Sequence, residues 1–262
     1  MAVPISKITN TLHWTLTGIL TVAVICAVAV PGLAGKLDPL ILVLAALASI
    51  TALTRQLPVE SVAFAALVTA LIGGAAHGLT ARTGLPFGPV IFNDTAGPKL
   101  FNSVPWTLPL LWVVVVFNSR GVARLVLRPW RKVKNYGFWL IGFTAFLVGL
   151  FDLALEPFAG PAKHFWRWQP TKLLVAWHGA SPMVPVGWLF ISLVILGFVT
   201  PYLIKKQPGR SSVPDFAPLV LWLGALVYFA LAAGRLELWT AVALDLGLAV
   251  CVAIGAYRGA RW

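Results

Sequence analysis

Charge is scarce in this chain: 11% of its 262 residues are Asp, Glu, Lys or Arg, where soluble domains carry about a quarter. With 59% hydrophobic residues and a mean hydropathy of +0.88, too few polar side chains remain to cover a water-facing surface. A soluble globular domain is excluded. Carboxylates are the scarcest charges, 8 against 20 Lys and Arg, giving a formal net charge of +12. That excess is not a nucleic-acid surface, because no Lys/Arg cluster is interleaved with exposed aromatics on a polar domain. It reads as the loop charge of a membrane protein. The two cysteines, Cys26 and Cys251, both lie in apolar runs. They behave as small hydrophobes, with no disulfide framework and no Cys-x-x-Cys metal or redox motif. Internal repeats and low-complexity tracts are also lacking, so residues 1–262 read as a single transmembrane domain.

What the chain has is long apolar runs. A membrane-crossing helix needs about 20 mostly apolar residues, and Pro, Gly and charged residues divide the sequence into eight such runs: 12–34, 38–54, 58–79, 104–119, 136–157, 185–204, 214–234 and 236–257. The expected fold class is all-α, a polytopic integral membrane helical bundle of about eight helices. The second and fourth runs are short enough to be tilted or partly re-entrant. The first follows Lys7, but its apolar core from Trp14 to Pro31 exceeds a signal-peptide h-region and reads as a retained helix. Alternate loops then fall on alternate sides, with 13 of the Lys and Arg on one side and 7 on the other. By the positive-inside rule both termini are cytoplasmic, with a bacterial cytoplasmic membrane as the expected location. Six of the 13 lie in residues 120–134, where Arg120, Arg124 and Arg128 recur every four residues. They are expected to anchor the chain on anionic lipid headgroups. The two longest loops, 80–103 and 158–184, share the opposite side. Rich in aromatics, Gly and Pro, they are expected to be irregular backbone folded against the helix ends.

With eight carboxylates, each is open to scrutiny. Asp38, Glu60 and Asp215 fall in first turns of predicted helices, where the helix dipole favours them, and read as structural. Glu237 follows Arg235 in a tight turn as a solvated pair or cap. Asp152 and Glu156 differ, because a spacing of four puts both on one face of the fifth helix, at or inside the hydrocarbon, just before Pro157 stops it. Two carboxylates so placed do not readily both ionise in a low dielectric, so one is expected to stay protonated as a neutral acid. The structural alternative pairs Asp152 with a loop Arg or His. Asp94 lies in a loop stiffened by Gly and Pro, as a fixed acid or as the centre of an Asx-turn. Asp245, midway along the eighth helix, reads as a second buried acid or as hydrogen-bond glue.

His77 follows Gly73 and Gly74 and reads as a satisfied histidine at a helix end. His164 and His178 with Asp94 match no metal-ligand spacing, so no metal is expected. Trp166 and Trp168 flank Arg167 and read most simply as an interfacial aromatic belt, and more sharply as the wall of a cavity for a cation or polyene, two roles that are compatible.

Two segments, Gly84-Leu-Pro-Phe-Gly-Pro-Val-Ile-Phe-Asn-Asp-Thr-Ala-Gly-Pro-Lys-Leu-Phe101 and Phe151-Asp-Leu-Ala-Leu-Glu-Pro157, resemble the membrane carotenoid biosynthesis family, specifically the CruF-type carotenoid 1,2-hydratases. The resemblance covers residues 84–198. It rests on Pro86 through Pro89, Asp94, Gly97-Pro98, Leu100-Phe101, Pro105, Pro109 through Trp112, Asp152 and the acid before Pro157. The chain departs from the family in having Val90, Ile91 and Phe92 where Tyr residues are usual, and Glu156 where a second Asp is usual. Residues Val184-Pro-Val-Gly-Trp188 shorten a stretch that normally has Asn before its Gly-Trp.

The resemblance implies cofactor-free, acid-catalysed hydration of the terminal double bond of an acyclic carotenoid drawn from the lipid bilayer. Such a reaction needs a proton donor, a stabilised tertiary cation and a positioned water. Asp152, Glu156 and Asp94 are the candidate catalytic residues, and Phe87, Phe92, Trp166, Trp168, His77 and His178 the candidate substrate contacts. The expected partners are a carotenoid and membrane lipids, and no nucleic acid. A membrane prenyltransferase would need Asp-rich motifs for Mg²⁺, which Asn93-Asp94 begins and Thr95-Ala96-Gly97 does not continue. A carotenoid cyclase would share the protonation chemistry. A small proton-coupled transporter using Asp152 and Asp245, or a structural subunit, is a different class. It finds no inverted repeat in its favour.

The charge asymmetry makes a topological prediction. Reporter fusions joined after Lys134 should read as cytoplasmic and fusions after Lys172 as external, and the reverse pattern would invert the assignment.

Overall fold

The computed structural model describes residues 5–170, 176–204 and 213–262. Eight helices carry the fold: α1 (Ile5–Ala29), α2 (Pro31–Thr54), α3 (Val59–Thr83), α4 (Thr107–Val126), α5 (Tyr136–Pro157), α6 (Met183–Val199), α7 (Ala217–Gly234) and α8 (Trp239–Ala260). α6 is extended by a 3₁₀ turn, Thr200–Leu203. Among the described residues, eight helical segments are long and apolar enough to cross a membrane. The protein is a membrane-embedded helical bundle.

α4 is its axis. The run Leu111 through Asn118 is apolar on every side but its end, and all of it is buried. A helix that is apolar all round can only be stable with neighbours all round. α2, α3, α5, α7 and α8 all pack against it. α1 packs mainly on α2, to which Val30 alone connects it, and leaves Ile19, Val22 and Ile25 outward.

Polar contacts fix the two ends. At one, Arg55 Nη1 meets Asp215 Oδ1 at 3.5 Å, Gln56 donates to Asp215 Oδ2 at 2.6 Å, and Arg120 Nη2 donates to the Leu203 carbonyl at 2.9 Å. At the other, Lys163 Nζ donates to Asp38 at 2.8 and 2.9 Å, and Arg235 donates to the Val28 carbonyl. The long loops lie at the second end, the 120–134 segment at the first.

The second and fourth runs prove to be full-length helices of 24 and 20 residues. The sequence divides there at Lys36, Asp38 and Arg120, charges that ordinarily end a membrane run. In the fold Asp38 lies two turns inside α2, paired with Lys163 and accepting the Tyr228 hydroxyl at 2.8 Å, so it is not a first-turn residue. Arg120 is buried inside the bundle, where its Nη2 donates to the Leu203 carbonyl. Glu60 does occupy the first turn of α3, and Asp215 accepts the Ala217 N–H at the start of α7 at 3.0 Å. Glu237 is exposed in the α7–α8 turn with φ 58°, and Asp245 is fully buried on α8.

The long loops are more regular than expected. β1 (Val90–Phe92) pairs antiparallel with β4 (Trp166–Trp168), placing Val90 opposite Trp168 and Phe92 opposite Trp166. β2 (Lys99–Leu100) pairs with β3 (Val104–Pro105). Val90 and Phe92 turn inward and Ile91 outward, while Trp166 turns inward and Arg167 outward. This period-two alternation is what a half-buried ribbon requires. The β1–β4 ribbon joins one loop to the other over the end of α5.

Candidate active site

α5 delivers Asp152 and Glu156 on its last two turns, exposed by 0% and 1%. One turn earlier on the same side, Gly149 lets the Pro185 carbonyl of the α5–α6 packing come within 3.3 Å of where a Cβ would stand. Glu156 Oε2 accepts the Trp168 indole N–H at 2.6 Å and that of Trp166 at 3.2 Å. Its Oε1 and both oxygens of Asp152 are buried with no hydrogen-bond partner among the described residues. Buried polar atoms are nearly always paired, so three unpaired oxygens on neighbouring turns of one helix single this place out. The pairing of Asp152 with a loop Arg or His is not formed.

The two tryptophans reach Glu156 because residues i and i+2 of a strand share a face. They are therefore hydrogen-bond donors to the buried Glu156 carboxyl. The Trp-x-Trp spacing carried that signal, since a buried indole N–H needs an acceptor.

From Trp166 a series of ring contacts runs inward. Trp166 meets Phe92 edge to face at 6.5 Å, and Phe92 meets His77 at 6.0 Å. His77 stacks on Phe87 at 4.6 Å and meets Trp188 at 5.6 Å, and Trp188 stacks on Trp112 at 4.1 Å. Glycines make the room: the Trp112 ring fills the space beside Gly73, and Phe87 comes within 2.6 Å of where a Cβ of Gly187 would stand. His77 is not a helix-end residue, because α3 continues to Thr83. Enclosed by rings, it has no partner for either ring nitrogen among the described residues.

Asp94 is not brought to the pair. Its side chain is 92% exposed and pairs with Lys99 at 2.9 Å. It opens a 3₁₀ turn, Asp94–Ala96, that Asn93 and Thr95 tie to the His164 carbonyl at 2.8 and 2.6 Å on the outer surface. Of the three candidate catalytic acids, Asp152 and Glu156 are therefore brought together and Asp94 stands apart. His178 is half-buried, edge-on to Trp177, whose indole N–H bonds the Leu153 carbonyl at 2.8 Å, and burial lowers its pKa. Among the described residues, no three His, Cys, Asp or Glu side chains cluster as a metal site would require.

A cavity of about 400 Å³ lies against the adjacent face of α5, between α1, α2, α4 and α7. Phe151 and Leu155, each next in sequence to one of the acids, line it, whereas Asp152 and Glu156 do not. Trp166 belongs to both places, with its ring in the cavity wall and its N–H on Glu156. Asp38 and Tyr228 also line the cavity, and Lys163 bonds both. This buried cluster was missed in the sequence, where 125 residues separate Lys163 from Asp38.

A family described as carotenoid biosynthesis protein matches residues 37–256. The chain belongs to that carotenoid biosynthesis family. Curated proteins and solved structures gave no match. The family's span takes in both acids, both indoles and the Asp38–Lys163–Tyr228 cluster, and leaves α1 outside.

The indole bonds can be tested without a substrate. Trp168→Phe keeps a ring and removes the 2.6 Å donor, so it should cost about 1–3 kcal/mol, the usual penalty for a buried acceptor left unpaired. Trp166→Phe, which loses only a 3.2 Å bond, should cost less. Thermal unfolding of the detergent-solubilised proteins reads this order, and equal, unshifted midpoints would show that neither bond holds Glu156.

Proposed function

We propose that this protein adds water across the terminal carbon–carbon double bond of an acyclic carotenoid end group, using Asp152 and Glu156 as a single acid–base unit. The observation that carries the reading is the asymmetry of the buried pair: Glu156 receives two indole N–H groups and Asp152 receives none. N–H donors suit a carboxylate, so Glu156 is the anionic member and Asp152 holds the shared proton. Membership of a carotenoid biosynthesis family supplies the substrate class.

In the reaction the alkene π electrons take the Asp152 proton, forming a C–H bond on one carbon and a tertiary cation on its neighbour. Aromatic faces stabilise that cation. A water then forms the C–O bond and gives a proton back to the carboxylate pair, so one water is added and the pair is restored. Phe151, Phe158 and Phe229 line the apolar cavity beside α5, whose volume of about 400 Å³ falls in the range of small-molecule sites. The cavity receives the end of the polyene from the bilayer. Trp166 stands between this cavity and Glu156, so in this reading the indole moves to admit the end group, and Trp166 is a positioning residue. The Lys/Arg excess puts the termini in the cytoplasm and this site toward the opposite leaflet.

Expression in a host that makes lycopene, followed by mass spectrometry of extracted pigments, tests the reading. The parent should yield product heavier by one water. Asp152→Asn, with shape kept and proton removed, should reduce it by about 10²–10⁴-fold, the usual worth of general acid catalysis. Glu156→Gln should do the same, with the double variant little worse than either, because members of one unit are not additive. Parent-level product from both single variants, in protein inserted normally, would place the acid elsewhere. An isomer without mass gain would indicate cyclisation.

A further inference from the structure

At the end of the bundle opposite the acid pair, a second cavity of about 210 Å³ lies between α4 and the start of α7. Arg120, Arg124, Arg128 and Arg131 line it together with Tyr136. The four-residue spacing stacks Arg120 and Arg124 on one face of α4. A 3₁₀ turn, Arg128–Trp130, then carries the chain round so that Arg128 and Arg131 close on the same space.

An anchor resting on lipid headgroups accounts for an exposed cation such as Arg131. It does not account for Arg120, which is 4% exposed. A guanidinium keeps its charge under all ordinary conditions and has five N–H donors to satisfy. The bond from Arg120 Nη2 to the Leu203 carbonyl uses one donor and supplies no counter-charge. Among the described residues, Asp215 is the one carboxylate in the cavity wall. It is already engaged by Arg55, Gln56 and the Ala217 N–H. Arg120, Arg124 and Arg131 therefore face a space in which, among the described residues, the one lining carboxylate is already engaged, and like charges at close quarters call for an anion between them. The planar fork of a guanidinium matches a phosphoryl group with two parallel hydrogen bonds. Basic pockets between membrane helices are suited to phosphorylated headgroups.

We infer that this cavity binds a negatively charged phosphoryl group, supplied either by the headgroup of an anionic membrane lipid or by free phosphate or pyrophosphate. The site is separate from the acid pair and does not depend on the hydration chemistry.

The test uses the full chain purified in mild detergent, with phosphatidylglycerol, phosphatidylcholine, inorganic phosphate and pyrophosphate as probes. Native mass spectrometry reads lipid retention, and thermal unfolding reads stabilisation by the soluble anions. Retention of phosphatidylglycerol over phosphatidylcholine, without stabilisation by the soluble anions, identifies a lipid headgroup site. Stabilisation by phosphate or pyrophosphate, with the two lipids retained alike, identifies a free-anion site. In either case Arg124→Gln with Arg131→Gln should weaken the response by about tenfold or more, as loss of charge-assisted hydrogen bonds does. An unchanged response in that double variant overturns the proposal. So does equal retention of the two lipids together with no stabilisation by either anion, a comparison made on the unmodified protein that needs no variant to fold.

Discussion

Two carboxyl groups stand four residues apart at the end of α5, sealed from water, and the elements around them answer the cost of keeping them there. Burying an ionisable group without partners is expensive, and in a bilayer such groups persist mainly where they work. The long loops bring the partners. β1 and β4 come from opposite sides of the α4–α5 pair in sequence, and their pairing is what aims Trp166 and Trp168 at Glu156. Phe92 and Phe87 continue the same wall to His77, and Gly73 and Gly187 leave the space that lets Trp112 and Phe87 close it. Among the described residues, the outcome is one satisfied oxygen and three without a hydrogen-bond partner in the buried pair.

The same constraint separates the molecule into two unlike ends. One holds the acid pair, the apolar cavity and the Asp38–Lys163–Tyr228 cluster, where a buried ion pair with a hydroxyl partner closes the bundle across α2 and α7. The other holds the start of α1, the end of α8 and four arginines around a second cavity. The apolar cavity and the arginine-lined one thus lie at opposite ends of one bundle whose axis, α4, is almost wholly buried.

Much of this was legible in the sequence because lipid leaves few choices. Uninterrupted apolar runs must be helices, and eight were readable as such. The i, i+4 spacing announced that Asp152 and Glu156 share a face, and the loop motifs pointed to the family that matches residues 37–256. What misled were charges taken as punctuation. Asp38 and Arg120 interrupt apolar runs in one dimension, yet in three Asp38 pairs with Lys163 and Arg120 donates to the Leu203 carbonyl, and the helices pass straight through them. Long-range partners of this kind leave no local trace. Asp94 misled in the opposite sense: Gly and Pro do fix its loop, but they fix it facing outward, where Lys99 neutralises it. The Trp-x-Trp pair was recognised as aromatic and not as a pair of donors, because the acceptor lies ten residues back on a different element.

The claim that matters most is that a solvent-derived proton passes through Asp152 to carbon. It is tested most directly by supplying lycopene to the purified protein in lipid nanodiscs in heavy water enriched in ¹⁸O. The account predicts a product with one carbon-bound deuterium and one ¹⁸O hydroxyl, and no such product from Asp152→Asn. A hydroxylated product without carbon-bound deuterium, or the doubly labelled product formed equally well by Asp152→Asn, would contradict it.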